Sequence, residues 1–313
     1  MQQGFAQFPD YQQQPIDKPI IVVGYRSGTT ALHKLLSNAP NTQTLEFWMA
    51  MFPRPRPPRD IWQNNPFFDK ARKSLDQLYE MYPHLRAIHF MSADEADESH
   101  RADYSFGNPG LQATLWEPDF IEWTYKKDQR DAYLQFKKVV QLIGYGNSDK
   151  WVLKCPLHML WIEHTLEQFP TATIVNTYRD PIETIPSSCN TIYSFTAPFQ
   201  QPDKKKFGRH VLEYWATLLD RYLESRTRLS SDRFLDVAYE DIVANPLDTV
   251  KKIYLHCDGE FTSAKRAKVA AWHAKNKQGK HGKHIYGGEE FGLPKEMIRE
   301  RTAKYREFYS MRA

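Results

Sequence analysis

Arg26, Ser27, Gly28, Thr29 and Thr30 follow one another in "GYRSGTT", where an apolar run at residues 19–25 gives way to apolar residues at helical spacing. A helix N-terminus carries unpaired N–H groups and a partial positive charge, so it binds anions readily. Gly28 lets the backbone approach a ligand closely. The hydroxyls of Ser27, Thr29 and Thr30 add donors, and Arg26 adds a planar fork of charge. The chemistry implied is the cradling of a phosphate. The Walker A pattern is not met, because Gly24 and Gly28 are only four apart and threonine stands in place of its lysine. Taken alone, the stretch also reads as a strand-to-helix turn with ordinary caps.

A second cradle lies further along. "YRDPIETIPSS" puts Arg179 at the end of a β-branched run and Ser187 eight positions later, on the helix that follows. "VAYEDIVANP" sets Tyr239 at the end of another strand, and "VLKCPLH" sets Lys154 at the end of a fourth. In a parallel sheet all these ends share the carboxyl edge, where α/β ligands sit. One site would then hold two separate phosphate groups.

The elements that must position these residues alternate. Residues 1–18 read as a polar lead-in, residues 19–25 as a fully buried strand, and Thr30 to Ser37 as a helix ended by "NAPNTQ". "FPRPRPP" cannot continue a helix or a central strand and reads as an extended loop. Residues 66–150 are aromatic-rich and mostly helical by pattern, interrupted by "SFGNPG", and read as an insertion or cap. From residue 151, "WVLK", "TATIVNTY" and "RFLDVAY" read as strands. "HMLWIEHTLEQF", a stretch after Pro181, residues 208–229 and a stretch after Pro246 read as helices. Strands separated by helices imply right-handed crossovers and an α/β fold with a central parallel sheet.

Composition narrows the function classes. Of 313 residues, 41% are apolar and 26% charged, and the net charge is +4. That balance suits small anionic ligands and excludes a basic stripe for nucleic acid. Cys155, Cys189 and Cys257 are scattered with no CxxC pair, which argues against a disulfide framework or a zinc site and fits a reducing compartment. There is no run of 18 apolar residues and no signal-type apolar segment, so the expectation is a cytoplasmic protein without membrane partners. "HFMSADEADESH", residues 89–100, is acidic with His89 and His100 at its ends. It lacks an i, i+4 histidine pair and reads as a solvated helix or an acceptor-recognition loop. Tyr104, Phe106, Trp116, Phe120 and Trp123 read as core, with an acceptor pocket as the other role.

"GYRSGTT", "YRDPIETIPS" and "YEDIVANP", in that order, resemble the motifs of sulfotransferases that use 3′-phosphoadenosine-5′-phosphosulfate (PAPS). "GKHIYGGEEFGL" is similar to the carboxyl-terminal segment of bacterial-type members, and the resemblance spans about residues 18–293. It implies one sulfotransferase domain over 1–313: a P-loop-like parallel sheet flanked by helices, with a helical insertion at about 52–150 shaping the acceptor site. Arg26, Ser27, Gly28, Thr29 and Thr30 would bind the 5′-phosphosulfate, Arg179 and Ser187 the 3′-phosphate, and Tyr239 the adenosine. Lys283 and His284 would close the 3′ side. The cytosolic members carry lysine where this chain has Arg26; the tyrosylprotein and many bacterial members carry arginine there, as this chain does.

The same resemblance implies sulfuryl transfer to a hydroxyl or amine of a small-molecule acceptor, leaving adenosine 3′,5′-bisphosphate (PAP). Such transfer rests on positioning and charge stabilisation, and calls for cations and a base rather than a metal. Lys154 resembles the lysine on the bridging oxygen. Two residues contend for the base: Glu46, twenty beyond Arg26, and His158, four beyond Lys154, with the Arg26 loop favouring Glu46. A P-loop nucleotide or sugar kinase and a non-catalytic nucleotide-binding relative are the alternatives. Acceptor identity and oligomeric state are not encoded in any motif.

Overall fold

The computed structural model describes residues 2–88, 90–102, 116–276 and 287–311. Five strands, β1 (Ile20–Val23), β2 (Thr42–Gln43), β3 (Lys150–Lys154), β4 (Thr173–Tyr178) and β5 (Phe234–Ala238), form one sheet in the order β2-β3-β1-β4-β5. Every pairing is parallel, with Ile20 opposite Val152 on one side and Thr173 on the other. The four β1 side chains are fully buried, as their apolar run requires of a strand covered on both faces. The connection out of β1 runs towards the β2 edge and that out of the adjacent β4 towards the β5 edge, so a crevice opens at the carboxyl ends of this pair.

Helices cover both faces. Thr29–Ser37 buries Leu32, Leu35 and Leu36 against Val152, Val175 and Val237 on one side of the sheet. Pro181–Thr196 and the long helix Lys204–Arg228 contribute to the larger core on the other side, with Ile185, Val211, Leu218 and Tyr222 inside it. The expected α/β architecture with a parallel sheet is therefore present. Between β2 and β3, the helices Pro66–Met81, Pro118–Lys126 and Arg130–Ile143 account for much of the region expected to be helical, and a short helix, Phe47–Met51, precedes it.

Local differences have local causes. β2 is only two residues long and lies in the stretch read as a helix stop. "HMLWIEHTLEQF" is not one amphipathic helix but a 3₁₀ turn, Pro156–Trp161, followed by Ile162–Gln168. Four consecutive residues, His158 to Trp161, are buried there, a pattern no single helical stripe can satisfy. The polar lead-in also folds, as Gln2–Gln7 and Pro9–Gln13, because Gln141 Nε2 donates to the carbonyls of Gln12 (2.7 Å) and Gln14 (3.1 Å) and Tyr11 is buried.

Candidate active site

The loop leaving β1 is shaped by two glycines. Gly24 has φ +123°, and a Cβ there would lie 2.3 Å from the Thr177 carbonyl oxygen, so only glycine lets the loop pass β4. Ser27 then donates to that carbonyl at 2.9 Å and sits 2.6 Å from Thr177 Oγ1. Its buried hydroxyl is thus bonded to β4, and Ser27 does not line the cavity described below. Gly28, at φ +83°, is the N-cap of Thr29–Ser37. The first backbone bond of the helix runs from Leu32 N–H to the Gly28 carbonyl at 3.0 Å. The N–H groups of Thr29, Thr30 and Ala31 precede it and have no intrahelical acceptor. These three residues line a cavity of about 760 Å³ at the carboxyl edge.

Arg26, Arg179, Ser187 and Tyr239 line the same cavity. Asp180 caps the helix Pro181–Thr196 by accepting from Ile182 N–H at 3.0 Å and is ion-paired to Arg306 of the C-terminal helix Ala303–Phe308. That clamp fixes Arg179 just before the helix and Ser187 within it. Arg26 Nε donates to Ser187 Oγ at 3.0 Å. The Arg179 guanidinium lies 4.3 Å from the centre of the Tyr239 ring, and 3.6 Å from Glu183. A Cβ on Gly28 would lie 3.2 Å from Tyr239 Cδ2. Gly28 therefore lies against the Cδ2–Cε2 side of Tyr239 and Arg179 lies over its ring, which brings the ends of β1, β5 and β4 together.

Behind the wall formed by Thr30 and Glu98, Lys154, 2% exposed and not itself lining the cavity, ends β3. Its Nζ is bonded to Thr30 Oγ1 at 3.4 Å and ion-paired to Glu98. Ser99 Oγ donates to the Lys154 carbonyl at 3.3 Å, docking residues 98–100 on the strand end. The other Glu98 oxygen is 3.1 Å from His100 Nδ1, and Glu98 and His100 both line the cavity. Met91, Trp116, Leu157, Ile192 and Phe195 form an apolar stretch of the wall. Trp116, one of the aromatics in question from sequence, packs edge-on to Tyr214 and against Phe207, whereas Trp123 is exposed and stacks on Phe120. Burial and the nearby Glu98 carboxylate push the Cys155 thiol up to about 12.

The two expected bases are elsewhere. Glu46 is buried at the head of Phe47–Met51 and ion-paired to Arg56, which also donates to the Thr44 carbonyl at 2.5 Å. It does not line the cavity. Its segment does run beside the one bearing Glu98, with Asp97 N–H donating to the Leu45 carbonyl at 2.7 Å. His158 is 1% exposed, its Nδ1 lies 2.8 Å from the Tyr133 hydroxyl, and burial pushes its pKa down to about 3. It faces core aromatics and not the cavity. Lys283 and His284 lie outside the described residues. Glu98 was missed because its partner is 56 residues away and its own stretch looks like a solvated acidic face. No local pattern could have singled it out.

With this geometry in hand, residues 19–263 match the sequence pattern of the Sulfotransferase family. The chain belongs to that family. It is 24% identical over 270 residues to the omega-hydroxy-beta-dihydromenaquinone-9 sulfotransferases Stf3 of Mycobacterium bovis and Mycobacterium tuberculosis, a match that covers 78% of this chain. The chain spans 64% of the length of those relatives. Among solved structures it superposes on sulfotransferase STF1 from Mycobacterium tuberculosis with a TM-score of 0.85 and 29% identity, covering 97% of this chain and 81% of that one. STF9 from Mycobacterium avium superposes with a TM-score of 0.88 at 23% identity, covering 98% and 81%, and so shares the fold. No helix among the described residues is long and apolar enough to cross a membrane.

Proposed function

We propose that the protein transfers a sulfuryl group from PAPS to the hydroxyl of a small acceptor with an apolar body, releasing PAP. One observation carries the reading: Arg26, Ser187, Arg179 and Tyr239 open on the cavity whose wall also presents Glu98, the ion-pair partner of Lys154. The site fits the nucleotide in kind. Free N–H groups at a helix start and two arginines suit two phosphates, and the Tyr239 ring offers a face for a base.

The bound donor supplies the sulfuryl group: a sulfur–oxygen bond forms to the acceptor while the bond to the bridging phosphate oxygen breaks, and PAP leaves with the electron pair. Arg26 and the Thr29 to Ala31 N–H groups hold the 5′ side, with the Thr30 hydroxyl beside them. Arg179 and Ser187 hold the 3′-phosphate, and Ser27 acts by bracing the loop on β4. Lys154 Nζ, beside Thr30, neutralises charge on the bridging oxygen. We assign the base to Glu98 in place of Glu46 and His158, because a base must reach the acceptor proton and Glu98 is the carboxylate on the cavity wall among the described residues. The apolar wall accommodates the acceptor's body. A relative named for an omega-hydroxy acceptor favours a hydroxyl over an amine. Mass spectrometry of a metabolite pool incubated with protein and PAPS tests the reading: some hydroxylated, apolar species gains a sulfonate, and no such species in any pool would refute it.

A further inference from the structure

From the same wall of the cavity we infer that Glu98, His100 and Cys155 form a binding site for a borderline-soft divalent cation of the zinc class. Their ligand atoms lie within 4.8 Å of one another. Cys155 Sγ is 3.7 Å from His100 Nδ1, and His100 Nδ1 is 3.1 Å from Glu98 Oε2. Zinc bound tetrahedrally to thiolate, imidazole and carboxylate separates sulfur from nitrogen by about 3.6 Å and nitrogen from oxygen by about 3.4 Å. The two pairs that share His100 need shifts of only a few tenths of an ångström to close on a cation. The Cys155–Glu98 pair, within 4.8 Å against about 3.6 Å around tetrahedral zinc, needs a shift of up to about 1 Å, within reach of a glutamate rotamer adjustment.

Its framework is already built. Cys155 follows β3 directly, residues 98–100 are pinned to that strand end by the Ser99 hydroxyl, and Lys154 occupies Oε1 of Glu98, leaving Oε2 on the imidazole side. A carboxylate oriented by a second partner is the usual support of a metal ligand. One thiolate and one imidazole select zinc-like ions over magnesium or calcium. Binding replaces the thiol proton, which goes to solvent, by a sulfur–metal bond, and takes the Nε2–H tautomer of His100. Three protein ligands leave a fourth position, and Glu98 and His100 face the cavity.

The site stands on this geometry alone. Its consequence rests on the assignment of Glu98 as base: a cation on Oε2 withdraws that carboxylate from the acceptor, so occupancy inhibits transfer and a chelator restores it. The test is titration of untagged, full-length protein with Co²⁺, read by absorption. Wild type should show a sulfur-to-cobalt charge-transfer band with the intense visible bands of four-coordinate cobalt, both abolished by Zn²⁺. Cys155→Ser should lose the charge-transfer band, and His100→Ala should weaken binding by at least about tenfold. Absence of the sulfur band in wild type, or its persistence in Cys155→Ser, would overturn the site. Should Cys155→Ser fail to fold, His100→Ala, at a partly exposed position, decides: unchanged cobalt spectra and affinity refute the site. No nucleotide enters this experiment, so it succeeds or fails independently of a PAP-binding measurement.

Discussion

Arg26 and Ser187, 161 residues apart in the chain, meet through a 3.0 Å hydrogen bond from the guanidinium Nε to the hydroxyl oxygen. One belongs to the loop after β1 and the other to the helix after β4, so the two stretches proposed to bind anions form one surface. Tyr239, against Gly28 on one side and under the Arg179 guanidinium, ties in the end of β5 as well. The placement of the motifs on adjacent strand ends, not any motif alone, makes the site.

The loop residues should divide into holders and binders. Ser27→Ala removes the buried bond to the Thr177 carbonyl, which should cost about 1–2 kcal/mol of stability while leaving PAP affinity within about threefold. Denaturation midpoints and calorimetric titration separate the two. A large loss of affinity with unchanged stability would return the Ser27 hydroxyl to the ligand.

Gly24→Ala should be far more damaging than Gly28→Ala. The first forces a Cβ to 2.3 Å from a strand carbonyl, and the second to 3.2 Å from an aromatic edge, each at positive φ. We expect Gly24→Ala to express as unfolded or strongly destabilised protein. Gly28→Ala should fold with a loss of about 1–3 kcal/mol and with weaker nucleotide binding, because Tyr239 must move.

Lys154→Met and Glu98→Gln should each lower kcat by about 10²–10³-fold, with PAP affinity nearly unchanged, when sulfonated product is followed at saturating PAPS. Glu46→Gln breaks the pair with Arg56 and should act on stability more than on rate. If Glu46→Gln instead abolished turnover in a stable protein, the base would be Glu46.

Acid should destabilise the fold through two histidines. His33 and His158 are buried, and their pKa values are lowered from 6.5 to about 3; burial is the main cause for both, with Lys154 adding to it at His33 and His100 at His158. Above pH 6.5 both rings are neutral in the native and unfolded chains. Between 6.5 and about 3 the unfolded chain binds protons that the native one does not, so stability falls as pH falls. Each histidine contributes at most about 1.4 kcal/mol per pH unit. Urea midpoints at pH 7 and pH 5 should therefore differ, and His33→Gln should flatten that dependence even if it lowers stability at both.

Much of this was legible because it is local. The apolar run of β1, the β-branched run of β4 and the residues at their ends sit in single short stretches, and a parallel sheet brings such ends together by rule. What was hidden depends on contacts between distant residues. The direction of the Ser27 hydroxyl is set by Thr177, the burial of Glu46 by Arg56, and the position of Glu98 by Lys154 and Ser99 docking across the end of β3. Cys155 and His100 likewise looked unrelated, since the spacing rules for metal ligands apply within a stretch and not across the chain. β2 was missed because two residues carry too little pattern to read.

The proposed transfer requires a doubly phosphorylated nucleotide to span the Arg26 loop and the Arg179–Ser187 unit. Isothermal titration of wild type, Arg26→Ala and Arg179→Ala with adenosine 3′,5′-bisphosphate and with adenosine 5′-monophosphate tests it directly. Wild type should prefer the bisphosphate, each substitution should weaken bisphosphate binding by about 10- to 100-fold, and Arg179→Ala should also erase the preference. Equal affinity of wild type for the two nucleotides, or bisphosphate binding indifferent to Arg179→Ala, would contradict it.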